Sequence, residues 1–358
     1  MSNKTPLYQA HLDAGGRMVE FAGWILPIRY GSLVDEHHAV RRAAGVFDVS
    51  HMTVVDLQGP DVRAFLRRLL ANDVDKIREH GQAIYGCMLD DTGGILDDLI
   101  SYRLEDEFYR LVVNAATRES DLNWIRRQAA GHALDVTERD DLAMIAVQGP
   151  EAAGHLVELL KLPSLADLKP FRSILHGDLF LARTGYTGED GFEVVLSNTE
   201  AENLWQALLA RGVVPCGLGA RDSLRLEAGL NLYSQDMDTG TTPLESNLAW
   251  TVAFEPVGRD FIGRAALERQ LSEGVPRQLV GLLFDAGGIP RHGARVVTAV
   301  GDGVVTSGGF GPTIERPIAM ARIPAGSSER VEVELRGKLL PARVVRMPFV
   351  RKGKVLHS

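Results

Sequence analysis

The chain reads as an α+β protein built from two related α/β units followed by an antiparallel β-barrel. Three observations carry that expectation. Its 358 residues exceed what one hydrophobic core ordinarily serves, so two or three domains are expected. A short motif recurs about ninety residues on: Val55-Asp56-Leu57-Gln58-Gly59-Pro60-Asp61 is echoed by Ile145-Ala146-Val147-Gln148-Gly149-Pro150-Glu151. Beyond Glu273-Gly274-Val275-Pro276-Arg277 the texture changes to short Val-rich runs separated by turns.

In each copy of the motif an apolar strand runs into Gly-Pro and then a helix. Proline suits a helix start because its missing N–H would be unpaired there in any case. The first helix puts Val62, Phe65, Leu66 and Leu69 on one face and turns Arg63, Arg67 and Arg68 to solvent; the second repeats the spacing with Leu156, Leu159 and Leu160. A second echo follows at a similar offset. Thr92-Gly93 and Thr187-Gly188 each open a turn before a β-rich run, and six residues after each threonine stands an acid, Asp98 or Glu193. Either these are unrelated surface acids, or they occupy matching points of two similar sheets and face one cleft. Leu162-Pro163-Ser164 reads as a linker. In the last part, residues 279–284, 294–297, 303–306, 318–323, 331–335 and 342–345 read as strands at the close spacing of a barrel.

Composition narrows the function. With 45% hydrophobic and 24% charged residues the chain lies well inside the range of folded globular proteins. A formal charge of −8 argues against nucleic acid as a partner, because phosphate backbones are met by clustered Lys and Arg. The one dense basic stretch, Arg346, Arg351, Lys352 and Lys354, is either a solvated end or a surface for an acidic ligand or partner. Cys87 and Cys216 alone make neither a disulfide framework nor a metal-ligand pattern, the histidines are scattered, and no metal is expected. Met1 to Pro6 has no targeting character and no apolar run is long enough to span a membrane, so the expected location is the cytoplasm.

Candidate chemistry concentrates in three segments. Gly93-Gly94-Ile95-Leu96-Asp97-Asp98-Leu99-Ile100-Ser101-Tyr102 is a turn feeding a strand, with Asp98, Ile100 and Tyr102 on one face and Asp97, Leu99 and Ser101 on the other. The two acids either end the turn in water or are desolvated by their apolar neighbours, which would raise a pKa and suit proton chemistry. Arg183 to Glu193 is a glycine-punctuated turn in which Glu193 alone of its acids enters a strand, where a carboxylate must be paired or hydrogen-bonded. Cys216 to Glu227 approaches a helix capped near Asp222 or Ser223; it lacks the third glycine of a dinucleotide site. Arg221 at that junction could pair with Glu193 or with a ligand carboxylate. Thr306 to Thr313 is glycine-rich but lacks the Lys and Ser/Thr of a phosphate loop, and reads as a turn of the β domain.

Taken in order, seven segments resemble the glycine cleavage T-protein family over essentially the whole chain: Phe21-Ala22-Gly23-Trp24 with Pro27 and Tyr30, Gly45 to Met52, Gly93 to Ile100, Gly185 to Glu193, Gly217 to Leu230, Thr241 to Glu245, and Met347 to Val350. Ile25-Leu26 and a basic rather than tyrosine-bearing tail are the departures. The resemblance implies a three-domain cloverleaf around a central folate channel, with two duplicated ferredoxin-like lobes, residues 1–52 with 140–272 and residues 53–139, and a barrel from 273 to 358. It implies transfer of a methylene group from an aminomethyl thioether, borne on the lipoyl arm of a carrier (H) protein, to tetrahydrofolate, with release of ammonia and no metal. Asp98 then matches the acid beside the reacting folate nitrogens. Met52, Tyr85, Tyr102, Asn114 and Tyr186 match channel positions, Glu193 a pterin-reading acid and Arg221 a second substrate contact. The alternatives are a folate-dependent demethylase needing no carrier and a folate-binding protein without catalysis.

Overall fold

Each Gly-Pro motif ends a strand that lies inside a sheet. In the computed structural model, which describes residues 2–285 and 287–357, Thr53–Gln58 is fourth in a five-stranded sheet ordered Ala83–Leu89, Ile95–Glu105, Phe108–Val113, Thr53–Gln58, Asp135–Glu138. Leu142–Gln148 is likewise fourth in a six-stranded sheet ordered Ser173–His176, Leu179–Ala182, Gly191–Ser197, Leu142–Gln148, Gly45–Asp48, Val214–Pro215. Each motif strand leads into a helix, Val62–Leu69 or Ala152–Leu160, then three strands and a second helix, Arg118–Ala129 or Ala201–Ala210. The fifth strand differs in origin: the second sheet borrows Gly45–Asp48 from ahead of the first motif. Gly59 and Gly149 share one physical cause. Both have positive φ, and a Cβ on either would lie 2.4 Å from a backbone carbonyl, that of Ala133 or Ala43.

Strand periodicity of two divides the apolar residues between two surfaces. One face of the first sheet, with Val55, Leu57, Leu99 and Leu111, packs on Phe65, Leu66, Leu69 and Ile125 of its helices. The second sheet does the same, Ile145, Val147, Phe192 and Val194 packing on Leu156, Leu204, Trp205 and Leu208. The remaining faces meet each other: Val54, Tyr102 and Val112 against Phe47, Met144, Ala146, Phe180 and Val195. The result is a helix–sheet–sheet–helix stack.

The second echo is not part of the duplication. Asp56 pairs in register with Arg110, and its counterpart Ala146 pairs with Glu193, so the repeat mate of Glu193 is Arg110, on the third strand of its sheet. Asp98 lies on the second strand. Stepping back from the matched pairs Ile100–Val112 and Phe180–Val195, its mate is Asp178, in an exposed hairpin turn. A Thr-Gly followed by an acid carries no information about hydrogen-bonded partners, and it is register that defines equivalence between strands.

Six strands form the closed barrel, in the order Arg277–Leu283, Arg316–Pro324, Gly301–Gly311, Arg295–Thr298, Arg330–Leu335, Lys338–Val345, around a core including Leu282, Phe284, Val296, Val305 and Ile323. The glycine-rich stretch read as a turn is instead mostly strand: Gly301–Gly311 runs on past a bulge between Val305 and Ser307, and the chain turns only at Pro312. Among the described residues no helix is long and apolar enough to cross a membrane.

Candidate active site

Asp98 stands on the strand Ile95–Glu105, which alternates as its sequence dictates: Ile100 and Tyr102 join the contact between the sheets, and Leu99 joins the helix-covered core. Tyr85, on the neighbouring strand, donates its hydroxyl to Asp98 Oδ2 at 2.8 Å. Asn114, just past the third strand, donates Nδ2 to Oδ1 at 2.8 Å. Burial, and secondly the charge of Asp97, push the Asp98 carboxyl up to about 7, against the pull of those two hydrogen bonds. Trp250, in the turn Ala249–Thr251, stacks on Tyr85 with ring centroids 5.9 Å apart and is 67% exposed. Asp98 and Tyr85 are themselves half-buried, so the group lies beneath an exposed aromatic shelf. An isolated loop tryptophan gave no sequence signal for this.

Glu193, on the strand Gly191–Ser197, accepts the Thr184 hydroxyl at 2.6 Å on Oε2. With its proton committed there, Thr184 accepts from the Tyr102 hydroxyl at 3.1 Å. Tyr102 is 1% exposed and packs edge-on against Phe180, so it is a core residue that reaches the acid only through Thr184. Burial raises the Glu193 carboxyl above its usual range, partly offset by the Thr184 bond and the Arg221 charge.

Arg221 occupies a helix that starts earlier than its sequence suggests. The helix is Leu218–Glu227 with Gly217 at its N-cap, not Asp222 or Ser223. The cap comes from another element: Glu36 Oε2 accepts the Gly217 N–H at 2.9 Å, a carboxylate at the positive end of the helix dipole. Arg221 consequently lies near the helix start, its guanidinium 4.5 Å from the centre of the Tyr186 ring. Among the described residues that guanidinium has no hydrogen-bond partner, and its planar fork is free for a ligand. Tyr186 is anchored by its hydroxyl to the Asn231 carbonyl.

Tyr186 feels the charges of both Asp98 and Arg221, and Arg221 those of Tyr186 and Glu193. The Tyr186–Arg221 contact thus lies within electrostatic reach of both acids. Asp98, Tyr85 and Asn114 form one bonded group; Glu193 and Tyr102 meet through Thr184. Met52 packs against the inter-sheet core that holds Tyr102 and lines a cleft of about 860 Å³ with Trp24, Arg118 and Arg139. Its neighbour His51 is 3% exposed, has no partner at Nδ1 among the described residues, and is pulled down to about 4 by burial and the Arg221 charge. Among the described residues no group of three His, Cys, Asp or Glu side chains converges as a metal ion would need.

Comparison with known proteins agrees with this architecture. Residues 7–256 match the GCVT N-terminal domain, and residues 277–351 match the glycine cleavage T-protein C-terminal barrel domain. The chain is 57% identical to an aminomethyltransferase of Xanthomonas axonopodis pv. citri, over 99% of this chain and 98% of that one. It is 54% identical to an aminomethyltransferase of Methylococcus capsulatus, over 99% of each. Its structure matches that of glycine cleavage system aminomethyltransferase T from Bartonella henselae with a TM-score of 0.93 at 38% identity, over 98% of this chain and 99% of that one. With family domains spanning both the paired lobes and the barrel, the chain belongs to the glycine cleavage T-protein family.

Proposed function

We propose that this chain is the tetrahydrofolate-dependent aminomethyltransferase of glycine cleavage, moving a methylene group from an aminomethyl-lipoyl carrier (H) protein to tetrahydrofolate and releasing ammonia. Family membership supports the reaction. One observation supports its location: Asp98, hydrogen-bonded at both oxygens and pushed up to about 7, lies across the Tyr186–Arg221 contact from Glu193. In this reading residues 1–52 with 140–272, residues 53–139 and residues 273–358 are the three lobes around the folate, and the protein works in the cytoplasm without a metal.

In the carrier thioether S–CH2–NH2, expulsion of the thiolate leaves an electrophilic iminium carbon, and expulsion of ammonia leaves the corresponding thionium carbon. The two folate nitrogens bond to that carbon, and the two protons they give up finish on the ammonia and on the dihydrolipoyl thiol. The attacking nitrogen must be neutral and close, and positive charge develops as it attacks. Asp98, ionised above about pH 7 and held by Tyr85 and Asn114, supplies a fixed negative charge that needs no reorganisation. Glu193 has the chemistry to accept two parallel hydrogen bonds from the amide–amidine edge of a pterin, with Arg221 as the second polar contact. Met52, Tyr186 and Tyr85 give the aromatic and thioether surface for the ring and its substituent, and Tyr102 supports Glu193 from the core through Thr184.

The test is ammonia release from an aminomethylated lipoyl carrier, with and without tetrahydrofolate. Release that requires both is expected. Methylene transfer from a small methylated donor in the absence of carrier would favour the demethylase instead.

A further inference from the structure

Behind Asp98, on the helix side of the same strand, Asp97 is 0% exposed and faces Asp121 of the helix Arg118–Ala129, itself 1% exposed. The two carboxyls are within hydrogen-bonding reach of each other. Two carboxylates cannot both be charged at that distance away from water, so one must carry a proton. The hydrogen bonds say which. Both Asp97 oxygens already accept from Asn114, Oδ2 from the backbone N–H at 3.0 Å and Oδ1 from Nδ2 at 2.8 Å. Among the described residues no donor reaches Asp121 Oδ2. Burial raises both carboxyls, Asp97 well above its usual range and Asp121 to about 7, but the two Asn114 donors pull Asp97 down and Asp121 has no such donor at Oδ2, which favours Asp97 as the anion and Asp121 as the acid that donates to it.

Asn114 is the link to the reaction site. The Nδ2 that bonds Asp97 Oδ1 also lies 2.8 Å from Asp98 Oδ1, so those two oxygens are no more than about 5.6 Å apart. We propose, on the footing of the Asp98 role given above, that Asp97 and Asp121 share a single proton and serve as positioning residues that act through Asn114 on the charge and orientation of Asp98. The other titratable groups facing Asp98 are Tyr85 and Cys87 from the neighbouring strand, and Tyr186; Tyr233 faces all three acids, with Asp238 beside it. Burial raises the three phenols that face Asp98 and the thiol, which keeps them neutral where Asp98 titrates. Asp97 is then the nearest charge that varies the behaviour of Asp98.

The test uses the full-length protein in two arms. At pH 9, where Asp98 is ionised, infrared spectroscopy should find a buried protonated carboxyl band in the wild type that disappears in Asp121→Asn. In the pH profile of turnover with aminomethylated carrier and tetrahydrofolate, Asp97→Asn removes the neighbouring charge and should move the midpoint toward acid by about one unit or more. Asp121→Asn still donates to Asp97 and should leave the midpoint within about 0.3 unit of wild type, which damage to packing alone would not separate from Asp97→Asn. A wild-type spectrum without the band, a band that survives Asp121→Asn, or an unmoved midpoint in Asp97→Asn each overturns the proposal. Asp98→Asn run alongside tells the two readings apart. If that variant keeps full turnover, the assignment of Asp98 fails, while the infrared band still decides whether the pair shares a proton.

Discussion

Glu227 is a buried carboxylate and Asp98 a half-buried one, yet Glu227 is paired with a buried arginine and bonded to a histidine, whereas Asp98 has another acid for its neighbour. Glu227, at the end of the Arg221 helix, accepts from Arg41 at 2.9 Å, lies 3.2 Å from His37 Nε2, and accepts the Thr313 N–H at 2.7 Å. It is pushed down to about 2, the bonds and charges of His37 and Arg41 outweighing the desolvation that alone would raise it. Asp98 has hydrogen bonds but, among the described residues, no cation bonded to it, and burial pushes it up to about 7. Glu227 joins the helix Leu33–Arg42 and the barrel turn at Thr313 to its own helix, and its charge is used up in holding them. A buried acid saturated by an arginine and neighbouring donors is a joint. One left with neutral donors and another acid keeps the capacity to titrate near neutrality and to meet a developing cation.

Four measurements would break or sharpen that contrast. The largest effect is expected from Glu227→Gln, which takes from Arg41 one of its two carboxylates, Glu189 being the other, and should cost about 3–5 kcal/mol of stability in denaturant unfolding; a loss below 1 kcal/mol would show that the network is no joint. Asp98→Asn should lower turnover about 10²–10³-fold while folate still binds, and should abolish the fall in wild-type turnover below about pH 7. Unchanged turnover with weakened folate affinity would reverse the assignment. Acid stability separates the two sites next. Because the Glu227 pKa is depressed on folding, its contribution is complete above 4.5 and lost as pH falls toward 2, about 3 kcal/mol in all; the stability of Glu227→Gln should be correspondingly flatter over that window. The smallest effect is expected from Glu193→Ala, an approximately tenfold weaker folate Kd with turnover at saturating folate little changed, measured by titration calorimetry. Equal losses of affinity in the Glu193 and Asp98 variants would dissolve the division of labour.

Much of the scaffold was legible from periodicity. The apolar face of Val62, Phe65, Leu66 and Leu69, the six barrel strands, and the first Gly-Pro echo all appear in the structure because each depends on spacing within one segment. The second echo misled for the opposite reason: Asp98 and Glu193 were compared along the chain, whereas their equivalence is decided by which strand each one pairs with. The start of the Arg221 helix was misjudged because its cap, Glu36, is 181 residues away. Asp121 gave no signal, since an acid early in a helix ordinarily needs no explanation beyond the helix dipole.

What the sequence by itself determined is the set of faces: which side chains of the Asp98 strand turn toward the opposing sheet, which helix residues are buried, and where the barrel begins. Those follow from fixed repeats of two and 3.6 residues. Only the tertiary structure decided the company each acid keeps, Asp98 with Tyr85 and Asn114, Glu193 with Thr184, Glu227 with Arg41 and His37. A carboxylate takes its charge from neighbours within a few ångströms, and in this fold most of those neighbours arrive from other strands and helices.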